Sequence, residues 1–580
     1  MKNIQSSKGS SMKKLFFYEL LIFSLLFISL STPATAKTMN ILVYPFENTG
    51  DKQYSWISAG MTDTVINDLM GIREVSVISN ADRKKIMEET KFDASGLVAE
   101  ETMVKVGKLT GSNIIFTGSY LVSKNNIRVI ARLINVETGK TESSAKINGT
   151  LEDIFDLQDK VVLTLLSETT KVTIPDVKQV RIAEAEKQKI QEKPKPNTTA
   201  YELYAKGLEI NETNPKEALS YFTKALEIDR NYISALLQAG FTAGNTLNLF
   251  DEALNYLTSA DNILKSRKAA NTKEYADLMG NIGAVYSSKG DLDRALRYYM
   301  DSQQGYDRLG LKNTAGYASL MNNIGIVYTS KGDLERALRY FTDSQEIRDR
   351  LGLQNTAFYA LLMDNIAAVY YSKGDLDRAL KYRMDSQQIQ DRLRLQNTVG
   401  YANLMMNIGI VYWSKGDLDR ALRYFTDSQE IRDRLGLQNT AFYALLMDNI
   451  ALVYYSKGDL DRALKYRMDS QQIQDRLGLQ NTVGYANLMM NIGIVYWSKG
   501  DLDRALRYYT DSQQIQDRLG LQNTTGYANI LLNMGLLHEK QGDKGMAGRN
   551  YRNAYDTYVR ARYIGPNKDN ALRNAQRLGY

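Results

Sequence analysis

The pattern of apolar and polar positions changes character near residue 173. Before it, short apolar runs alternate with amphipathic stretches. MNILVYPFEN from Met39 and EVSVIS from Glu74 read as strands, and NIIFTGSYLV with IRVIARLIN reads as a hairpin turning at Lys124-Asn125-Asn126. Ile57, Met61, Val65 and Leu69 fall on one helical face, as do Ile154, Leu157, Val161 and Leu165. Two further helices are expected ahead of the hairpin, the second being AEETMVKVGKLTG with Gly111 at its C-cap. Strands interleaved with helices predict a small α/β domain over residues 37–172.

Beyond residue 199 the spacing is helical throughout, and a longer period lies over it. The triplet Asn-Ile/Met-Gly/Ala starts at Asn281, Asn323, Asn365, Asn407, Asn449, Asn491 and Asn533, a step of 42 residues. A fixed period of this size means stacked helical units, each able to bury its apolar face only against its neighbours. In the unit at Asn491 the two helices are GYANLMMNIGIVYWSK and DLDRALRYYTDSQQIQDRL, with Gly500-Asp501 as turn and cap. Residues 323–406 and 407–490 differ at four places in 84: Thr329/Trp413, Glu335/Asp419, Ala368/Leu452 and Arg394/Gly478. A block of two units has been copied. Two less regular units precede the periodic ones, so nine repeats are expected over 199–565, and Pro566 opens a polar capping helix to residue 580.

Within the unit, Ile492, Gly493, Tyr496, Ala505 and Tyr509 resemble the tetratricopeptide repeat pattern. Gly493 and Ala505 are small where two helices approach, and Tyr496 is expected to fill the gap between neighbouring units. Asp517 stands where that family has proline and eight residues are added, which makes the unit similar to the 42-residue repeats of the kinesin light chain type. The N-terminal stretches ILVYPFENTGD, AGMTDTVINDL, GSNIIFTGSYLVSKNNIRVIARLINVETGK and LEDIFDLQDKV resemble the TolB N-terminal-domain-like family. That resemblance implies an α/β fold that docks other proteins or assembles, without catalysis, and it supplies no site residues. The fold class expected is therefore α+β multidomain: a small α/β domain followed by an all-α superhelical solenoid.

Composition narrows the chemistry. The chain of 580 residues holds 73 Lys and Arg against 66 Asp and Glu, a net charge of +7, and shows no basic stripe with interleaved aromatics. A nucleic-acid partner is not expected. There is no cysteine and one histidine, His538, which stands at the tyrosine place of the last unit and reads as core. Disulfides, thiolate metal sites, a cysteine nucleophile and a histidine metal cluster are thereby excluded. ETGKT at 137–141 ends like a phosphate loop, but Ile134 stands where the earlier glycine would be, so it reads as a turn. No convergent acid, base, nucleophile or metal set is present. No catalytic residue, cofactor or metal is expected.

Two segments bear on location and linkage. Residues 1–36 carry Lys13-Lys14, an apolar run and Ala34-Thr35-Ala36, which predicts a signal peptide cut after Ala36 and a periplasmic protein. Residues 173–198 are charged and end in Pro194 and Pro196, which predicts a solvated spacer.

The differences between copied units point to a binding face. On the first helix of each unit, positions spaced 3, 4 and 3 form a stripe apart from the packing residues. It runs Leu361, Asp364, Ala368, Tyr371; then Asn403, Met406, Ile410, Trp413; then Leu445, Asp448, Leu452, Tyr455; then Asn487, Met490, Ile494, Trp497. In tetratricopeptide proteins this stripe lines the concave groove. The expected partner-binding residues are Tyr371, Asn403, Met406, Trp413, Asp448, Leu452, Tyr455, Asn487, Met490 and Trp497. Trp and Tyr supply large rigid contacts and Met adapts to shape. Asp364 and Asp448 are expected to favour basic or amide groups. The function expected is a scaffold or adaptor for protein or peptide partners in the bacterial cell envelope. A membrane-anchored sensor, peripheral membrane association and self-assembly stay open.

Overall fold

The computed structural model describes residues 39–72, 75–78, 83, 100–172, 174, 177 and 179–580. The expected signal peptide, and the first of the two helices expected ahead of the hairpin, lie outside the described residues. Among the described residues no helix is long and apolar enough to cross a membrane. The chain divides into two compact parts, one reaching Leu362 and the other running from Met363 to Tyr580.

The first part opens with a mixed sheet. Its strands are β1 (Met39–Val43), β2 (Glu47–Asn48), β3 (Val75–Val77), β4 (Ile114–Ser123), β5 (Asn126–Asn135) and β6 (Thr141–Thr150). The order is β3-β1-β4-β5-β6, with β2 beside β4. β1 runs parallel to β3 and β4, and β4, β5 and β6 form an antiparallel meander. The buried run at β1 fits a strand flanked on both sides. Lys124 turns the β4–β5 hairpin with φ +56°. The ETGKT segment is the β5–β6 turn, where Asn135 Oδ1 accepts from the Glu137 and Thr138 amides. Helices α1 (Trp56–Met70), α2 (Glu100–Thr110) and α3 (Ile154–Thr169) pack with the sheet.

Of residues 173–198, expected as a solvated spacer, the described ones are held down instead. Ile174, Val180 and Ile190 are buried, and Glu184–Gln191 forms a short helix. The Lys193 ammonium lies 2.5 Å from Asp68 Oδ2 and 3.0 Å from Asp159 Oδ1, tying the segment to α1 and α3. A count of charges does not reveal that one lysine meets two carboxylates that burial would otherwise leave unanswered. The α/β layer continues directly into the helical array. Tyr201 packs edge-on against Trp56 and Phe155 at 6.0 and 5.1 Å between ring centroids, and the Tyr204 hydroxyl donates to Asp63 at 2.8 Å.

The array holds nine helix pairs, from Thr198–Ile210 with Pro215–Ile228 to Thr525–Lys540 with Lys544–Arg560, and then a closing helix, Pro566–Arg577. Each periodic pair is built by the same local chemistry. A threonine caps most first helices, as Thr398 Oγ1 accepts from the Tyr401 amide. A glycine with positive φ then turns the chain, such as Gly416 at +80°, and an aspartate caps the second helix, as Asp417 accepts from the Arg420 amide. The same Asp417 also meets the Arg420 side chain at 2.5 Å. That arginine covers Tyr412 at 4.6 Å, and Tyr412 stacks on Tyr424 at 5.5 Å. Tyr496, expected between neighbours, likewise stacks on Tyr508 of its own repeat. Contact with the preceding repeat comes through Tyr508, whose hydroxyl lies 3.7 Å from Met468 Sδ. His538 is buried.

Candidate functional site

In the second part the stripe lies on Val399–Ser414, Ala441–Ser456 and Val483–Ser498, the first helices of repeats six, seven and eight. A ladder of polar contacts joins its aromatic residues to the next helix. The Tyr371 and Ser414 hydroxyls lie 3.0 Å apart, Trp413 Nε1 donates to Ser456 Oγ at 3.4 Å, and the Tyr455 hydroxyl lies 3.0 Å from Ser498 Oγ. Ser498 donates its own proton to the Ile494 carbonyl at 2.9 Å, so Tyr455 is the donor in its pair. At Trp497 the ladder ends. Lys540 stands where serine stood, its ammonium lies 4.9 Å from the indole centroid, and the indole Nε1 is buried without a hydrogen-bond partner.

The other stripe residues are placed unequally. Met406 is buried, Asn403, Leu452 and Met490 are half-buried, and Asn487 is exposed. On these three first helices the largest apolar exposure falls at Phe442, 58% exposed, with Val483 at 49% and Leu445 at 47%. Phe442 and Val483 were not among the residues the sequence singled out. Phe442 lies three residues before Leu445 and Val483 four before Asn487, so extending the 3–4 spacing one step toward the N-terminus finds both.

The acids are not free to meet a basic ligand. Asp448 lies 3.5 Å from the Arg467 guanidinium, and Asn491 Nδ2 donates to it at 3.5 Å. Arg467 also donates to the Asn491 carbonyl, as Arg383 does to that of Asn407. Burial pushes the Asp364 carboxyl up to about 7, with Arg383 beside it pulling the other way; Asp448 is raised for the same reason. Neither arginine was singled out in the sequence, because both sit on second helices. The signal was present in the repeat pattern. At the place of Phe341, Phe425 and Tyr509, repeats five and seven carry Arg383 and Arg467.

The glycine four places ahead of the stripe aromatic explains why that exchange is coupled. A Cβ at Gly409 would meet Phe425 at 2.7 Å, and one at Gly493 would meet Tyr509 at 2.6 Å. Repeats five and seven hold Ala367 and Ala451 there, and it is these repeats that carry arginine in place of the ring and add an aspartate as its counter-ion. From repeat four to repeat eight, two kinds of repeat therefore alternate.

One buried arginine of the second part stands apart. Arg432 is 1% exposed and lies beneath the stripe. Its Nη2 donates to Asn403 Oδ1, its Nε reaches Ser428 Oγ at 3.5 Å, and the Phe442 ring centroid lies 5.9 Å from its Cζ. Repeats five, seven and eight have Gln390, Gln474 and Gln516 at this place.

A family profile described as tetratricopeptide repeat matches residues 274–350, 358–434, 442–518 and 486–558. A protein named putative adenylate cyclase 3, from Rhizobium meliloti (strain 1021), is 26% identical over 201 residues, which are 34% of this chain and 31% of that protein. This chain thus spans about a third of that relative's length. Among solved structures, the apo form of RapI aligns over 63% of this chain and 98% of its own at 15% identity and a TM-score of 0.44. The nearly identical repeats of a putative kinesin light chain from Podosopora anserina align over 36% of this chain and 97% of theirs, at 12% identity and a TM-score of 0.32.

Proposed function

Because residues 274–558 belong to the tetratricopeptide repeat family, we propose that the chain is a binding scaffold whose first-helix stripe in repeats six to eight holds a protein partner. One observation carries this reading. On two successive first helices, Ala441–Ser456 and Val483–Ser498, Phe442, Leu445 and Val483 are left about half exposed near the helix starts, on the face that carries Tyr455 and Trp497 toward the ends. Apolar side chains exposed in a row mark an interaction surface more often than a solvated one. Large aromatic anchors concentrate binding free energy when a partner covers them. The Trp413–Ser456 and Tyr455–Ser498 contacts hold these rings in place, so little conformational freedom is lost on binding.

The N-terminal segment, with its apolar run and Ala34-Thr35-Ala36, supports placing this work in the cell envelope. The α/β layer, with its resemblance to the TolB N-terminal-domain-like family, supports a second docking surface on the same chain. Adaptor function follows: one end docks and the stripe holds the client.

The test is crosslinking in the native envelope followed by mass spectrometry of captured proteins. Trp413→Ala combined with Phe442→Ala and Trp497→Ala should cut recovery of the captured partner by about tenfold or more, with the melting curve of the second part kept cooperative. Unchanged recovery from a folded triple variant would remove the stripe as the binding surface.

A further inference from the structure

The second part buries three arginines, Arg383, Arg432 and Arg467, beneath the stripe. Arg467 has Asp448 and Arg383 has Asp364. Arg432 has no carboxylate: among the described residues no acidic group pairs with it, and its hydrogen bonds go to the neutral Asn403 and Ser428. A guanidinium taken out of water needs a counter-charge, and neutral acceptors answer it only in part. Lys540 adds a second positive charge at the stripe's far end, over Trp497, whose buried indole N–H has no acceptor.

Resting on the stripe as the binding surface, we propose that its partner is an acidic segment, an extended peptide whose internal Asp or Glu side chain pairs with Arg432 while apolar side chains on either side cover Phe442, Leu445 and Val483. The charge sign is opposite to that expected from Asp364 and Asp448 alone, because the chain's own arginines already answer both. Asn403 and Phe442 form the cover over Arg432, and both belong to the stripe. Phe442, 58% exposed, turns aside as the carboxylate enters. The carboxylate then takes the Nη2 proton donor that Asn403 now accepts from, in a charge-assisted bond. An internal side chain suits the site better than a chain terminus. Stripe residues continue on both sides of it, with Tyr371 and Trp413 before and Leu452 to Trp497 after.

The test uses the full chain and an array of N-acetylated, C-amidated nonapeptides with Glu, Gln or Lys at the centre of apolar flanks. The variant is Arg432→Gln, which installs the residue that repeats five, seven and eight already carry there and so should fold. Central-Glu peptides should bind the unaltered chain about tenfold more tightly than central-Gln ones. Arg432→Gln should abolish that preference and leave the residual binding sensitive to Phe442→Ala. Equal binding of Glu and Gln peptides, or tighter binding of Lys peptides, would overturn the acidic-partner proposal. If such peptides still lose binding on Phe442→Ala, the stripe stands and only its charge preference falls. If no peptide binds and the envelope crosslinks are also unaffected by the triple variant, both fall together. Preference for free C-terminal carboxylates over capped central Glu, in a matched set of uncapped peptides, would overturn the internal placement.

Discussion

Asp364 shows how a single buried group sets a pH dependence. Burial holds its carboxyl protonated to about pH 7, whereas in the unfolded chain it ionises near pH 4. The folded state then binds the proton more tightly. Its contribution to stability is greatest below about pH 4, where both states carry the proton, and is lost as pH climbs to about 7. Asp364→Asn removes this term. Melting of the second part across pH 4 to 7 should show the unaltered chain losing stability relative to the variant; parallel curves would place the carboxyl in water. Little of this residue chemistry was legible beforehand. The spacing that places Asp448 on the stripe says nothing about Arg467, which arrives from another helix, and so the carboxylate looked available when it was not. Trp413 and Trp497 were easier to single out. They occupy a position where copied units differ, while the contacts of Ser456 and Lys540 with them appear only once adjacent repeats are stacked.

At the scale of the element, the helix pair is the unit that the sequence specifies most completely. A threonine cap, a glycine of positive φ and an aspartate cap recur at fixed offsets, so the helix boundaries expected for the unit at Asn491 fall within a residue or two of Val483–Ser498 and Leu502–Arg518. The interior of the pair is equally constrained. Gly409→Ala puts a methyl group 2.7 Å from the Phe425 ring, and a packed core relieves such overlap only by moving backbone or rotamer. We expect a loss of about 1–3 kcal/mol, read by chemical denaturation. The same alanine is native in repeat seven, where Arg467 replaces the ring. Pairing Gly409→Ala with Phe425→Arg should therefore not recover stability unless the Asp448 equivalent, Met406→Asp, is supplied as well. The strands were legible for a different reason: β4 opens on a buried run and alternates toward its end, β5 alternates from its start, and mostly polar β6 is held by its ladder with β5.

For the whole molecule, the segment between sheet and repeats decides whether the α/β layer is a separate module. Its charge and prolines suggested independence, yet Lys193 is fixed between Asp68 and Asp159, and Tyr201 and Tyr204 of repeat one are buried against α1 and α3. The layer serves as the first cap of the array, covering an apolar end that solenoids otherwise hide with polar terminal units. A chain starting at residue 199 uncovers both tyrosines. It should melt about 5 °C lower or more in its first transition and bind a hydrophobic dye, while the second part keeps its own transition. An unshifted first transition would show the layer to be dispensable.

The alternation of two repeat kinds reaches beyond the folded chain to its inheritance. Tyr424 meets Met384 and Tyr508 meets Met468 across boundaries where one kind follows the other, and Phe442 covers Arg432 across the opposite boundary. Unequal recombination that adds or deletes 84 residues rebuilds junctions the chain already possesses. A change of 42 residues would set like beside like, leaving an arginine without the ring that covers it. Alleles of this gene should accordingly lengthen and shorten in whole double steps, a ratchet written into the geometry of its seams.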